Sequence, residues 1–531
     1  MATTAHISYR PEGKAPSIRS LWLGVFLAAA VLYAATCQRG ISWQDSGMFQ
    51  WRVATADYVG ELGLALAHPL YIAAGRAITQ LPGSNAYWLN FFSGLGSAVA
   101  LANLACLLTY LTHKRWIGAA AAAMLAVAHS LWWLSTIAEV YTWTIAGLTL
   151  EVWLLVLLIE RPSGRKLLAL GLVNGLGLAV HNFALLPLPV YVAVTVWLVM
   201  KRRLAVRWLV LAVLAWAAGA GVYIGQIIHL AYQPGYNLFY AVSSALVGEY
   251  SEQVLNLAGL SKYWKVNVVL GSLSFVNFLL PLAVVGWWRL RRWLDRPATA
   301  AIAAITVIHA VFFLRYPVPD QFTFMLPTLT MVALAAGLGV ATLARRSRRW
   351  RTAAVAACVL SVAGPPIFYA VAPQAADAVG VEAAGQARHP YRDEMRYWIV
   401  PWKHNERSAA RFAREAVDTA ARTGGVIWAD STPGWALAME VQRRGVENLE
   451  IQLYGRPLPQ YLPPEPELRD DTEAVTRSKR EFRDALGDRE LYVISPEKAP
   501  KGLAQDAELE PLPEAPLYRV RWRGQPANPS R

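Results

Sequence analysis

Residues Leu21–Val53 read "LWLGVFLAAAVLYAATCQRGISWQDSGMFQWRV". The first half is apolar and long enough to cross a hydrocarbon core of about 30 Å at 1.5 Å per residue. The second half sets an aspartate, a serine and a glycine between two tryptophans, directly after that run. Similar runs recur as far as Ala372, separated by short polar breaks. With 55% hydrophobic residues and a mean hydropathy of +0.30, the chain lies outside the range of soluble domains and reads as a polytopic α-helical membrane protein.

The net charge of +14 does not point to nucleic acid, because much of it sits in clusters between the apolar runs. These are Lys114/Arg115, Arg161/Arg165/Lys166, Lys201 to Arg207, Arg289 to Arg296 and Arg345 to Arg351. Cytoplasmic loops collect Lys and Arg. Placing all five clusters inside gives a cytoplasmic N-terminus (1–19), about eleven crossings and an exported C-terminus. The expected spans are 20–37, 86–111, 117–136, 141–160, 167–183, 184–200, 208–230, 267–288, 298–315, 322–343 and 352–372. A retained first span fits better than a cleaved signal peptide, since "YAATCQRG" lacks a clean small-x-small site. Cys37, Cys106 and Cys358 have no metal-ligand spacing and read as packing residues. The same applies to His113, His129 and His309.

This topology leaves a membrane module (20–372) with long outer loops at 38–85 and 231–266, and a tail (373–531) richer in charge and proline. In the tail "GGVIWAD", "ENLEIQLYG", "ELYVIS" and "LYRVRW" read as strands, and Asn405–Arg422 as a helix, so a small extracytoplasmic α/β domain is expected. In the first outer loop Trp43–Ala67 is amphipathic at helical spacing, as for a helix lying on the outer leaflet. "HPLYIAAGRAITQL", 68–81, opens a helix too short to cross.

Ionisable residues at membrane level are functional candidates, and here they gather on one side. Asp45 and His68, Glu139 and Tyr141 in "STIAEVYTW", His181 and Asn182, Glu249/Tyr250, and Asp320 in "RYPVPDQF" all fall at the outer face. Arg52, Arg76 and Arg315 accompany them, and a guanidinium matches phosphate oxygens bidentately. Asp45 and Arg52 are seven apart, on one helix face. Each has a plainer reading: Asp45 and His68 as helix caps, Glu139 as a helix terminator, His181 as a packing histidine, Asp320 as loop. Their common side favours function.

In order, "WQDSGMF", "AHPLYIAAGR", "AEVYTWT", "GLAVHNFALLP" and "YPVPDQFTFMLP" resemble the motifs of GT-C superfamily glycosyltransferases, in the branch of the transmembrane O-mannosyltransferase of plexin-type receptors and its bacterial homologues. Met48 stands where that branch usually has glutamate, and Leu70-Tyr71-Ile72 replaces the usual proline and glycine after His-Pro. The resemblance implies a GT-C fold and inverting transfer of a sugar, mannose by analogy, from a polyprenyl-phosphate carrier to a protein or glycan acceptor at the outer face of the plasma (inner) membrane. Asp45 would take the acceptor proton, Arg52, Arg76 and Arg315 would meet the phosphate, and His68, Glu139, Tyr141, His181, Asn182, Tyr250 and Asp320 would line the site. No ligand spacing requires a metal, although the carboxylates leave room for a divalent ion. A flippase of lipid-linked sugars and a non-catalytic assembly protein are the rival classes. The first would carry inverted repeats and mid-span charges; in the second Asp45 would be dispensable.

Overall fold

The computed structural model describes residues 18–60, 63–248, 264–316, 318, 320–380, 389–453, 486–496, 503 and 507–523. It is mainly helical. α1 (Ile18–Thr36) leads through an extended turn to α2 (Gln44–Thr55) and α3 (Pro69–Ile78), and then to the long buried α4 (Asn85–Thr112). α5 (Arg115–Ala126), α6 (His129–Leu134), α7 (Tyr141–Glu160), α8 (Gly164–Val180), α9 (Leu188–Met200), α10 (Val206–Gly219), α11 (Gly221–Ala231) and α12 (Leu238–Leu246) follow. Helices Trp264–Leu273, Leu279–Trp288, Arg296–Arg315, Leu326–Ala344 and Arg348–Ala378 complete the module.

Among the described residues seven helices are long and apolar enough to cross a bilayer, or eight if α10 and α11, bent by 72°, form one span. The expected eleven straight spans are therefore not all present as such. The expected span 117–136 divides into α5 and α6. The break survives in apolar surroundings because its freed backbone groups find partners: Tyr33 Oη donates to Ala126 O (3.1 Å) and Ser130 N donates to Ser274 Oγ (3.0 Å). The expected span 267–288 divides at 274–278, where Phe278 N donates to Ser361 Oγ (2.9 Å). Irregular backbone at membrane depth is tolerated where protein re-satisfies it.

Leu279–Trp288 and Leu326–Ala344 pack with their backbones touching. A Cβ at Gly286 would lie 1.8 Å from Ala335 O, and one at Gly339 1.9 Å from Leu282 O. Small residues permit this approach, which drives helix association in lipid where hydrophobicity cannot.

The amphipathic helix expected over Trp43–Ala67 stops at Thr55. Ala56 turns left-handed (φ 60°), and the Asp57 carboxylate accepts from Val59 N and Gly60 N (3.1 and 2.8 Å). α3 spans ten residues, about 15 Å, and so does not cross.

In the tail, helices Ser408–Ala420 and Ser431–Arg444 flank a five-stranded sheet of order β2-β1-β3-β5-β4. Its strands are β1 (Gly425–Ala429), β2 (Leu449–Leu453), β3 (Leu491–Val493), β4 (Ala507–Pro511) and β5 (Tyr518–Trp522). β1 runs parallel to β2 and β3, while β5 is antiparallel to β3 and β4. β4 was not among the expected strands. The tail is packed onto the membrane module. Trp43 lies against Phe412 and His389 (5.4 and 5.5 Å) and donates to Ser408 Oγ (2.8 Å). Trp51 meets Trp435 (5.2 Å). Lys403 N donates to Thr36 O (2.7 Å), Thr136 Oγ1 to Pro401 O (2.7 Å), and His129 Nε2 lies 2.8 Å from Trp398 O. Ser408→Ala should leave the buried Trp43 indole N–H without its acceptor and cost about 1 kcal/mol, read as a lowered unfolding midpoint.

Candidate active site

The site forms where three chain reversals meet at one end of the bundle. Asp45 is exposed in the first turn of α2. Glu139 is buried in the turn between α6 and α7, and Asp320 is half-buried between Arg296–Arg315 and the turn leading into Leu326–Ala344. Ser46 Oγ donates to Glu139 Oε1 (3.2 Å), which ties the start of α2 to the second carboxyl. Burial, with the charges of Asp45 and Asp320, lifts Glu139 well above the carboxylate range. Burial and the Asp45 charge push Asp320 up to about 7. Burial first, and like charge second, thus favour the neutral forms of Glu139 and Asp320. Tyr141, at the start of α7, lies within electrostatic reach of all three carboxyls.

Beside them stands a pair of neutral histidines. His68 and His181 stack at 5.0 Å and 17°, and His181 lies 5.2 Å from Tyr141. Burial, then the neighbouring His181 and Arg52, lower His68 well below the usual imidazole range, and burial lowers His181 to about 3. Their tautomers follow from their partners. His68 Nδ1 faces the carbonyl of Val180 (2.8 Å) and so carries hydrogen; His181 Nδ1 accepts from Phe183 N (3.0 Å) and so does not. That leaves an acceptor at His68 Nε2 and a donor at His181 Nε2.

The arginines are placed differently from expectation. Arg52 keeps its position two turns from Asp45, but its side chain is 2% exposed and folds away towards residues 57 and 66–67. Its guanidinium donates to Asp57 O (3.2 Å), Leu66 O (2.8 Å) and Ala67 O (2.6 Å), with the Asp57 carboxylate at 3.5 Å. Arg76 donates to Val53 O (2.9 Å), tying α3 to α2. Arg315, in the last turn of Arg296–Arg315, is half-buried. Asn182 bonds Ala245 O (2.8 Å) and receives Tyr223 Oη (3.1 Å), holding α11 and α12 against the His181 turn. Tyr250 lies outside the described residues. Among those residues no three His, Cys, Asp or Glu side chains are grouped to hold a metal ion.

Residues 62–205 match the family model of the protein O-mannosyl-transferase TMEM260 N-terminal domain. That stretch carries His68, Glu139, Tyr141 and His181; Asp45 and Asp320 lie beyond it. None of the curated proteins matches the chain in sequence. In three dimensions the chain is similar to ArnT from Cupriavidus metallidurans, solved bound to undecaprenyl phosphate. The TM-score is 0.56 at 15% identity, over 94% of this chain and 97% of that one. The fold is GT-C.

Within this GT-C fold, the residues that hold the start of α2 were missed in the sequence. Gln50 accepts from Ser42 N (3.0 Å) and donates to Ser42 Oγ and Asn90 Oδ1 (3.1 and 3.0 Å), while Asn90 Nδ2 donates to Gln38 O (3.0 Å). Ser93 Oγ accepts from Glu139 N (2.7 Å) and donates to Glu139 O (3.0 Å). A legible signal existed: Asn90, Ser93 and Ser97 recur at i, i+3 and i+7 along an otherwise apolar α4. That polar stripe marks the face on which the site is built.

Proposed function

We propose that the protein is an inverting glycosyltransferase. It moves a sugar, mannose by likeness to the matched family model, from a polyprenyl-phosphate carrier to a protein or glycan acceptor at the outer face of the plasma membrane. The observation that carries this reading is the meeting of Asp45, Glu139 and Asp320 beside the neutral His68/His181 pair, at one end of a GT-C bundle. The undecaprenyl phosphate bound to ArnT supports a lipid-linked donor, and the basic clusters at the opposite ends of the helices support an outward-facing site.

Asp45, exposed and carried on a rigid helix, takes the proton of the acceptor hydroxyl as its oxygen attacks the anomeric carbon. The bond between that carbon and the phosphate oxygen breaks on the opposite face, and the electron pair leaves with the lipid phosphate. Arg315 meets the developing phosphate charge; Arg52 and Arg76, engaged with backbone carbonyls, shape the loops around it. Protonated Glu139 and His181 Nε2 supply neutral hydrogen-bond donors that add no negative charge near the leaving group.

The pH dependence tests this arrangement. As pH rises through about 7, Asp320 ionises and adds charge that opposes departure of the phosphate, so kcat/KM for transfer from a polyprenyl-phosphate sugar should fall on the alkaline side. Asp320→Asn should remove that limb, and an unchanged limb would reject the assignment. The same raised carboxyl binds its proton more tightly folded than unfolded, so its contribution to stability is lost from its ordinary range up to about 7 and then levels off.

A further inference from the structure

We infer that the membrane module carries a second lipid site, remote from the carboxylates, which holds one hydrocarbon chain of an anionic phospholipid. A groove of about 600 Å³ runs between α1, α4 and α5, closed by Val362 of Arg348–Ala378. Its walls are apolar, Gly24 and Ala28 of α1 and Ala119 and Ala123 of α5 among them, and among the described residues its only polar lining residues are Ser20 and Arg115. Arg115 Nη2 donates to Ser20 Oγ (3.5 Å). Arg19 and Lys114, their chain neighbours, are exposed as well. α1 runs from this basic end at Ile18 to Thr36 beside the carboxylate end, so the two sites open to opposite leaflets.

Shape and charge name the occupant. From Ser20 to Leu32 the groove follows α1 for about 18 Å. Its 600 Å³ leaves room for a hydrocarbon chain laid along that length. A groove that is apolar along its length and basic at one end matches an amphiphile with an anionic head, and basic pockets between transmembrane helices recognise such heads. Neither the groove nor Arg115 takes part in the proposed transfer.

Gly24 provides a test, because a Cβ there meets nothing within 4 Å; Gly24→Phe starts from open space and directs its ring into the groove. Native mass spectrometry of the purified, delipidated full chain, titrated with phosphatidylglycerol or phosphatidylcholine, should show one phosphatidylglycerol bound in preference. Gly24→Phe should weaken that binding at least tenfold at an unchanged unfolding temperature. Arg115→Gln should abolish the preference for the anionic head while retaining chain binding. Binding insensitive to both substitutions overturns the site, as does a dimer of the protein lost on Gly24→Phe.

Discussion

Under the proposed function, Asp45→Asn should lower the turnover of a polyprenyl-phosphate sugar roughly a thousandfold, the usual worth of a positioned general base, while leaving expression and donor binding close to wild type. Asparagine keeps the shape and the hydrogen-bonding oxygen but cannot accept the acceptor's proton. The rival reading of Asp45 predicts something quite different. Trp43, not Asp45, is the N-cap of α2, so in that reading Asp45 acts on the helix as an acidic residue in its first turn. That is worth about 0.3–1 kcal/mol, and its loss would leave turnover intact. Single-turnover rates with labelled donor, set beside thermal unfolding of the same preparations, separate the two. Wild-type turnover in the variant would return Asp45 to a helix-end role.

Arg52→Met costs about 3 kcal/mol of stability. The methionine fills part of the volume but supplies no donor, so the carbonyls of Asp57, Leu66 and Ala67 lose their partner and the Asp57 carboxylate loses its counter-charge. Arg52→Lys should recover part of the loss, since one ammonium reaches fewer of these acceptors than the planar fork. The experiment also decides what Arg52 is for. A phosphate ligand would raise KM for the donor with stability unchanged; a clamp on the carbonyls of Asp57, Leu66 and Ala67 lowers the unfolding temperature first.

The class of fold was legible because lipid imposes a coarse rule, long apolar helices with basic ends, that composition alone reveals. The gathering of Asp45, Glu139, Asp320, His68, His181 and Tyr141 was legible for a related reason: once sidedness is assigned, every polar break on one side must share one end of the bundle. What stayed hidden depends on partners far away in sequence. The break between α5 and α6 is stabilised by Tyr33 and Ser274, and the one at 274–278 by Ser361; no local window contains both sides of these bonds. Arg52 looked like a ligand because a helical wheel gives the direction of its Cβ, not where a long side chain turns. β4, "AELEP", escaped because its acidic alternation is weak and its place in the sheet comes from pairing with β5.

The docking of the tail on Trp43 bears on the order in which the protein is made. Trp43 waits for Ser408, 365 residues later, an interval of roughly 20 to 70 seconds at ordinary rates of synthesis. Until then the start of α2 presents an uncovered indole, and the backbone of Thr36 awaits the amide of Lys403. A segment made long after the first loop thus seats it, so a chain cut short before Lys403 would lack the contacts that hold the start of α2.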